Sequence, residues 1–455
     1  MILVFDSRTN ALKSFVVSLL IIAAAGTNRA VHAQNERVWI PGWKQTSALA
    51  MPRAGAAVLE HNGRIYALGG VDGKDFMNST EWTRIKDNGE LEPWRAGPAM
   101  NEARGFTDAA SHGEFIYIVS GGNGPAGHNL LRSIERARIL PSGELGRWER
   151  ETHELVLPRR CVKVFVIGNR LYASGGYGGT LLDTVESATI DADGHLGAWR
   201  VEPNKLTQAR YVHGAKAFGS RAYMVGGHNQ SQGAGLTTVE LTTVQGGDDL
   251  GSWESATPLH EGRYGHSVAH YRNFIYALGG LDGARYLRSI EKAALTEAGT
   301  IKAWNTAAPL AVARANFGVV VAKDRMYIIG GANQDGYFSA VEMADLNQRG
   351  DTGYWGTKQD AHAYEKEQTH AAPVANAVTT DNAAVIAEVI DTDRYTYLRV
   401  TTAEGDEWLA TGRGDFKTGQ RVAFSAGVPM TNFRSEALNR TFDSIRFVSR
   451  VIAVP

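Results

Sequence analysis

The chain has 455 residues, and its 47 Lys and Arg against 48 Asp and Glu leave a formal charge of −1. That balance excludes a nucleic-acid or anionic-membrane binder that works through bulk charge. Hydrophobic residues at 43% leave enough apolar surface for a sizeable core, and 51 glycines against 13 prolines point to many tight turns rather than collagen-like or low-complexity chain.

Residues 1–33 have the pattern of a secretory signal peptide. Arg8 and Lys13 precede an apolar run from Ser14 to Gly26, and Val31-His32-Ala33 supplies the cleavage positions. The run falls short of the roughly 20 residues that span a bilayer. The expectation is removal after Ala33, a secreted or periplasmic protein, and no stable membrane insertion after cleavage. The single cysteine, Cys161, excludes an intramolecular disulfide and an all-cysteine metal site.

From there to residue 356 the chain repeats itself. Gly-Gly doublets stand at 69–70, 121–122, 175–176, 226–227, 279–280 and 330–331. A tyrosine precedes each doublet: Tyr66, Tyr117, Tyr172, Tyr223, Tyr276 and Tyr327. Thirteen residues before each tyrosine stands an arginine: Arg53, Arg104, Arg159, Arg210, Arg263 and Arg314. A glutamate follows each doublet, at 81, 135, 186, 240, 291 and 342, and then a tryptophan, at 94, 148, 199, 253, 304 and 355. Each copy reads as four short strands joined by Gly-containing turns such as Asp87-Asn-Gly89. A lone sheet of this size cannot cover both faces, so the copies must pack face to face around an axis. Trp43 lies 10 residues before Arg53, as Trp94 lies before Arg104, which predicts that the N-terminal segment completes the last sheet; either Trp43 or Trp355 would hold the last tryptophan position.

This Arg…Tyr-x-x-Gly-Gly…Glu…Trp unit resembles the kelch motif of β-propellers. The resemblance implies an all-β fold, a six-bladed kelch-type β-propeller over residues 34–356. It leaves activity open, because kelch proteins include binding scaffolds, sialic-acid mutarotases and copper radical oxidases. Six copies and a strand-borne Cys161 argue against the oxidase.

The six arginines sit where the chain enters each first strand, a ring near one mouth of the channel. They are either scaffold residues bonded to loop carbonyls or a cationic ring for carboxylated or sulfated sugars. Residues after them differ between copies: Arg160 follows Arg159, Tyr211 follows Arg210, Tyr264 follows Arg263, and His213 and His266 occur in the fourth and fifth copies only. Variation inside a repeated frame is where specificity is written, so the candidate ligand face comprises these positions and the loops after the doublets. No catalytic residue, cofactor or metal site stands out.

Residues 357–382 are polar and unpatterned, a linker. Five strand-like runs in 383–455 suit a small OB-like β-barrel. The stretch Gly427-Val-Pro-Met430 to Arg440-Thr-Phe442 resembles small periplasmic proteins that accompany cytochrome nitrite reductase systems, which implies a bacterial envelope setting. The sequence reading is thus an exported, non-catalytic recognition scaffold whose partner is a glycan, a wall component or an envelope protein, with no role for nucleic acid. The alternative is an acidic-sugar mutarotase or isomerase with its site at the channel mouth.

Overall fold

The computed structural model describes residues 38–229, 233–244, 250–362, 383–392, 395–412, 414–424, 428–435, 438–448 and 451–454; the expected signal peptide and residues 363–382 of the expected linker lie outside these. Two compact units divide the chain, one comprising residues up to Pro41 together with 353–375, the other Gly42–Thr352 with the C-terminal region.

The larger unit holds the propeller. Blade one consists of Ala57–His61, Arg64–Leu68, Thr80–Arg84 and Arg95–Ala96, in that sheet order and antiparallel throughout. Blades two to five repeat it, with first strands Asp108–His112, Lys163–Ile167, Gly214–Phe218 and Ser267–Tyr271. Blade six begins with Gly318–Ala322 and Arg325–Ile329, followed by Val341–Leu346. Second strands read as unbroken apolar runs because neighbouring blades cover both their faces. Ile65, Tyr66, Ala67 and Leu68 have no exposed surface.

Blade six takes an outer strand from the other end of the propeller sequence, since Lys44–Thr46 pairs antiparallel with Val341–Met343. A relay of tyrosine hydroxyls also joins blade to blade. Tyr66 donates to the Gly143 carbonyl (2.7 Å), Tyr117 to Gly194 (2.7 Å), Tyr223 to Gly299 (2.6 Å), Tyr276 to Gly350 (2.7 Å) and Tyr327 to Gly89 (2.7 Å). The last bond returns from blade six to blade one, so the ring is closed. The accepting turn needs glycine: Gly143 has φ +86°, and an added Cβ would fall on the Arg64 side chain.

Trp43, 8% exposed, packs among Tyr276, Leu278, Leu310 and Leu346 and so takes the last tryptophan position of the ring. Trp355 is 53% exposed. Within the smaller unit Val38–Pro41 pairs with Gly353–Gly356, and Trp39 meets Trp355 edge-on at 5.4 Å.

Residues 358–362 form a short helical turn inside the expected linker. Thr357 starts it as a cap: the Asp360 amide donates to the threonine hydroxyl (3.2 Å), and the Thr357 amide donates back to the Asp360 carboxylate (2.8 Å). Among the described residues the C-terminal region carries seven strands where the sequence suggested five. One of the added strands, Val428–Ser435, alternates in character but contains Pro429, which cannot donate to a ladder; it sits at one end of the sheet order, where proline is tolerated.

Candidate functional site

The six repeated arginines are interior groups. Arg53, Arg104, Arg159, Arg210, Arg263 and Arg314 are all at most 1% exposed. Each guanidinium pairs with the glutamate of its own blade: Arg53 with Glu81 (2.6 Å), Arg104 with Glu135 (2.9 Å), Arg263 with Glu291 (3.1 Å), and Arg159, Arg210 and Arg314 with Glu186, Glu240 and Glu342. The other terminal nitrogen donates to the carbonyl of the residue 16 positions on, as Arg159 does to Gly175 (2.9 Å). Each glutamate then takes backbone amides of the connection from the preceding blade, as Glu186 does from Val156 (2.6 Å) and Leu157 (3.1 Å). Burial pulls the pKa of all six arginines below the ordinary guanidinium value, opposed by the paired carboxylate. The two terminal nitrogens of each are thus occupied within the blade, and Nε alone lacks a partner among the described residues. None of these six guanidinium groups is exposed at a channel mouth. The expected cationic ring is a set of struts that pin each connection to its blade.

Two residues after each arginine the backbone turns left-handed: Gly55, Phe106, Cys161, Val212, Gly265 and Asn316 have φ between +47° and +60°. Their backbones bond sideways. Gly55 donates to the Asn316 carbonyl (2.7 Å), Phe106 to Gly55 (2.7 Å), Cys161 to Phe106 (2.6 Å), Gly265 to Val212 (2.7 Å) and Asn316 to Gly265 (2.7 Å). This collar ties adjacent blades at one end of the channel, and at Val212 it imposes a backbone that a β-branched residue strongly disfavours. His213 and His266 lie beneath it around a cavity of about 40 Å³. They are 0% and 3% exposed, their ring nitrogens have no partner among the described residues, and burial holds both far below the ordinary imidazole pKa. They are neutral interior groups and are placed apart from the loop face. Burial likewise pushes the Cys161 thiol up to about 11.

Arg160, Tyr211 and Tyr264 occupy a different surface. Each stands one residue after its arginine and pairs through an isolated bridge with the loop after the doublet: Arg160 with Tyr177, Tyr211 with His228, Tyr264 with Leu281. The bridges merge the two variable sets into one face. Across blades three to five the side chains run in series. The Arg160 guanidinium lies over the Tyr177 ring (5.4 Å), Tyr177 neighbours Tyr211 (6.4 Å), Tyr211 meets His228 edge-on (5.7 Å), and His228 tilts against Tyr264 (4.8 Å). The four larger members are half-buried, and burial raises the Tyr264 phenol to about 12. His228 Nε2 donates to the Gly233 carbonyl (3.0 Å), which fixes its ring between the two tyrosines. At the same positions blades one, two and six carry Ala54, Gly105 and Ala315, so the aromatic series is confined to one side of the ring.

Charged residues on the first strands were missed by the sequence reading. Glu60, Asp108, Lys163 and Lys216 line the central channel, a cavity of about 330 Å³. Their signal was legible, since a charge on an innermost strand stands where most other copies carry small or apolar residues. Among the described residues no cluster of three or more metal-ligating side chains occurs, and no helix is long and apolar enough to cross a membrane.

Comparison with known proteins agrees with this architecture. The Kelch motif family model matches residues 52–82. Kelch-like protein 35 of Mus musculus is 29% identical over 138 residues, 30% of this chain and 22% of that protein. Kelch-like protein 25 of Homo sapiens is 29% identical over 214 residues, 45% of this chain and 34% of that protein. The chain thus spans between about a fifth and a third of these curated relatives' length. The solved structure titled "Structure of YjhT" superposes with a TM-score of 0.55 at 13% identity, covering 69% of this chain and 99% of that one, a likeness of fold. The protein is a six-bladed β-propeller. One of its repeats matches the Kelch motif, and its sequence is similar to stretches of Kelch-like proteins.

Proposed function

We propose that the protein is an exported, non-catalytic recognition scaffold that binds an envelope protein or glycan through the face formed by Arg160, Tyr177, Tyr211, His228 and Tyr264. The observation that carries this reading is the continuous series of aromatic rings ending in an arginine over three adjacent blades, on positions the scaffold leaves free to vary. Tyrosine and arginine are the residues that concentrate binding energy at recognition surfaces, and tyrosine does so at low entropic cost. The same rings suit stacking on a sugar face. The repeated arginines support the scaffold role rather than anion capture, since their forks are used internally.

Export rests on the signal pattern of residues 1–33. The C-terminal region is read as a small OB-like β-barrel; its support is that its described strands join in one continuous sheet. A glycan array and crosslinking to envelope fractions, each run with wild type and with the Tyr211→Ala/Tyr264→Ala double variant, test the proposal. Binding that the double variant loses by tenfold or more, with an unchanged melt, supports it. Equal binding by both proteins, or turnover of a bound sugar, refutes it.

A further inference from the structure

The channel lining holds two charges that the fold leaves unused. Lys216, in the middle of blade four's first strand, faces the channel, and among the described residues no hydrogen bond or ion pair reaches its ammonium. Its side chain has exposed surface, yet that surface opens into the channel, where surrounding protein disfavours the cation and lowers its pKa. Glu60 lies on blade one's first strand. One of its oxygens accepts the Gly63 amide (2.7 Å), but no cation pairs with it. Asp108 and Glu60 are near enough to act on Lys216 electrostatically, without an ion pair to either. The other two charges are occupied: Asp108 lies 3.8 Å from Lys163 and accepts the Val164 amide (2.9 Å). The rest of the lining mixes the side chains of Val58, Ala109, Val166, Ala215, Val268 and Val319 with polar surface, including Ser111 and Ser267.

The cavity thus presents an ammonium and a carboxylate, neither held in an ion pair, to any solute that enters it. A solute that carries both opposite charges and an apolar remainder satisfies all of these groups at once. We infer that the central channel binds a small free amino acid with an aliphatic side chain, its carboxylate on Lys216, its ammonium on Glu60, and its side chain against the alanine and valine wall. The volume of about 330 Å³ lies at the lower end for ligand sites and accommodates such a molecule. The collar constricts one end of the channel, so the solute enters from the end where the first and second strands turn, near Asn62-Gly63. This site is separate from the aromatic face.

Isothermal titration of the full chain with L-valine, isovalerate and isobutylamine tests the assignment. L-valine is expected to bind at least tenfold more tightly than isovalerate, which lacks the ammonium, and isobutylamine, which lacks the carboxylate. Lys216→Met and Glu60→Gln should each remove that advantage; Lys216→Arg should keep it, which separates charge from fold. The Tyr211→Ala/Tyr264→Ala variant should bind L-valine as wild type does. No detectable L-valine binding at millimolar concentration, isovalerate binding as tightly as L-valine, or undiminished binding by Lys216→Met would each overturn the inference.

Discussion

Replacing Glu186 by methionine tests the strut reading most directly. Arg159 and Glu186 are both fully buried, and Glu186 also holds the Val156 and Leu157 amides. Removing one partner of a buried pair leaves an uncompensated charge and costs about 3–5 kcal/mol. Unfolding entropy of about 2.1 cal/mol/K per residue over roughly 300 propeller residues sums to about 0.6 kcal/mol/K, so each kcal/mol moves the melt by about 1.5 °C. Glu186→Met should therefore lower the calorimetric midpoint by about 5–8 °C. The Arg159→Met/Glu186→Met double variant should recover most of that loss, because a buried pair replaced by apolar side chains of similar volume is often nearly neutral. A single-variant shift below about 2 °C, or a double variant less stable than the single, would show that the pair is not the interior strut described.

Acid should weaken the ring through two buried histidines and one half-buried one. His213, His266 and His270 are held below their unfolded value by burial, the last at about 4. Their stability contribution is complete above the unfolded pKa near 6.5 and declines as pH falls toward the folded values, by up to about 1.4 kcal/mol per pH unit for each histidine. The charges around His213 and His266 are Arg159, Arg210, Arg263 and Lys163, which stay protonated throughout that window, so melts from pH 7 to pH 5 should fall and His213→Leu/His266→Leu should flatten the slope. An unchanged slope in the double variant contradicts the assignment. Trp43→Ala should cost about 3–5 kcal/mol in urea unfolding, whereas Trp355→Ala, at an exposed site, should cost less than about 1 kcal/mol; comparable losses would mean that Trp43 does not complete the ring. Val212→Gly should relieve the collar's backbone strain and raise the melt by about 1–2 °C, net of glycine's entropy; a lower melt would show that the side chain contributes more than the strain removes.

The propeller was legible in the chain because its restraints are local and repeated. Doublet, tyrosine, arginine, glutamate and tryptophan each serve one blade or one blade boundary, so six copies of the pattern define six sheets before any coordinates are seen. The aromatic face was half legible: Arg160, Tyr211 and Tyr264 stood out as variation within the frame. Their meeting with Tyr177 and His228 depends on bridges between segments about 17 residues apart. The sequence also left the arginines with two roles, strut or anion site. The choice lay in where each guanidinium points, and only packing against the paired glutamate and a doublet carbonyl settles it. The same holds for Trp43 against Trp355, and for Lys216 and Glu60, which are more than 150 residues apart and share a cavity only because the ring closes. Spacing along the chain determined which elements form; which side chains face one another across the axis was decided by closure, since that alone brings the first strands of distant blades around a common channel.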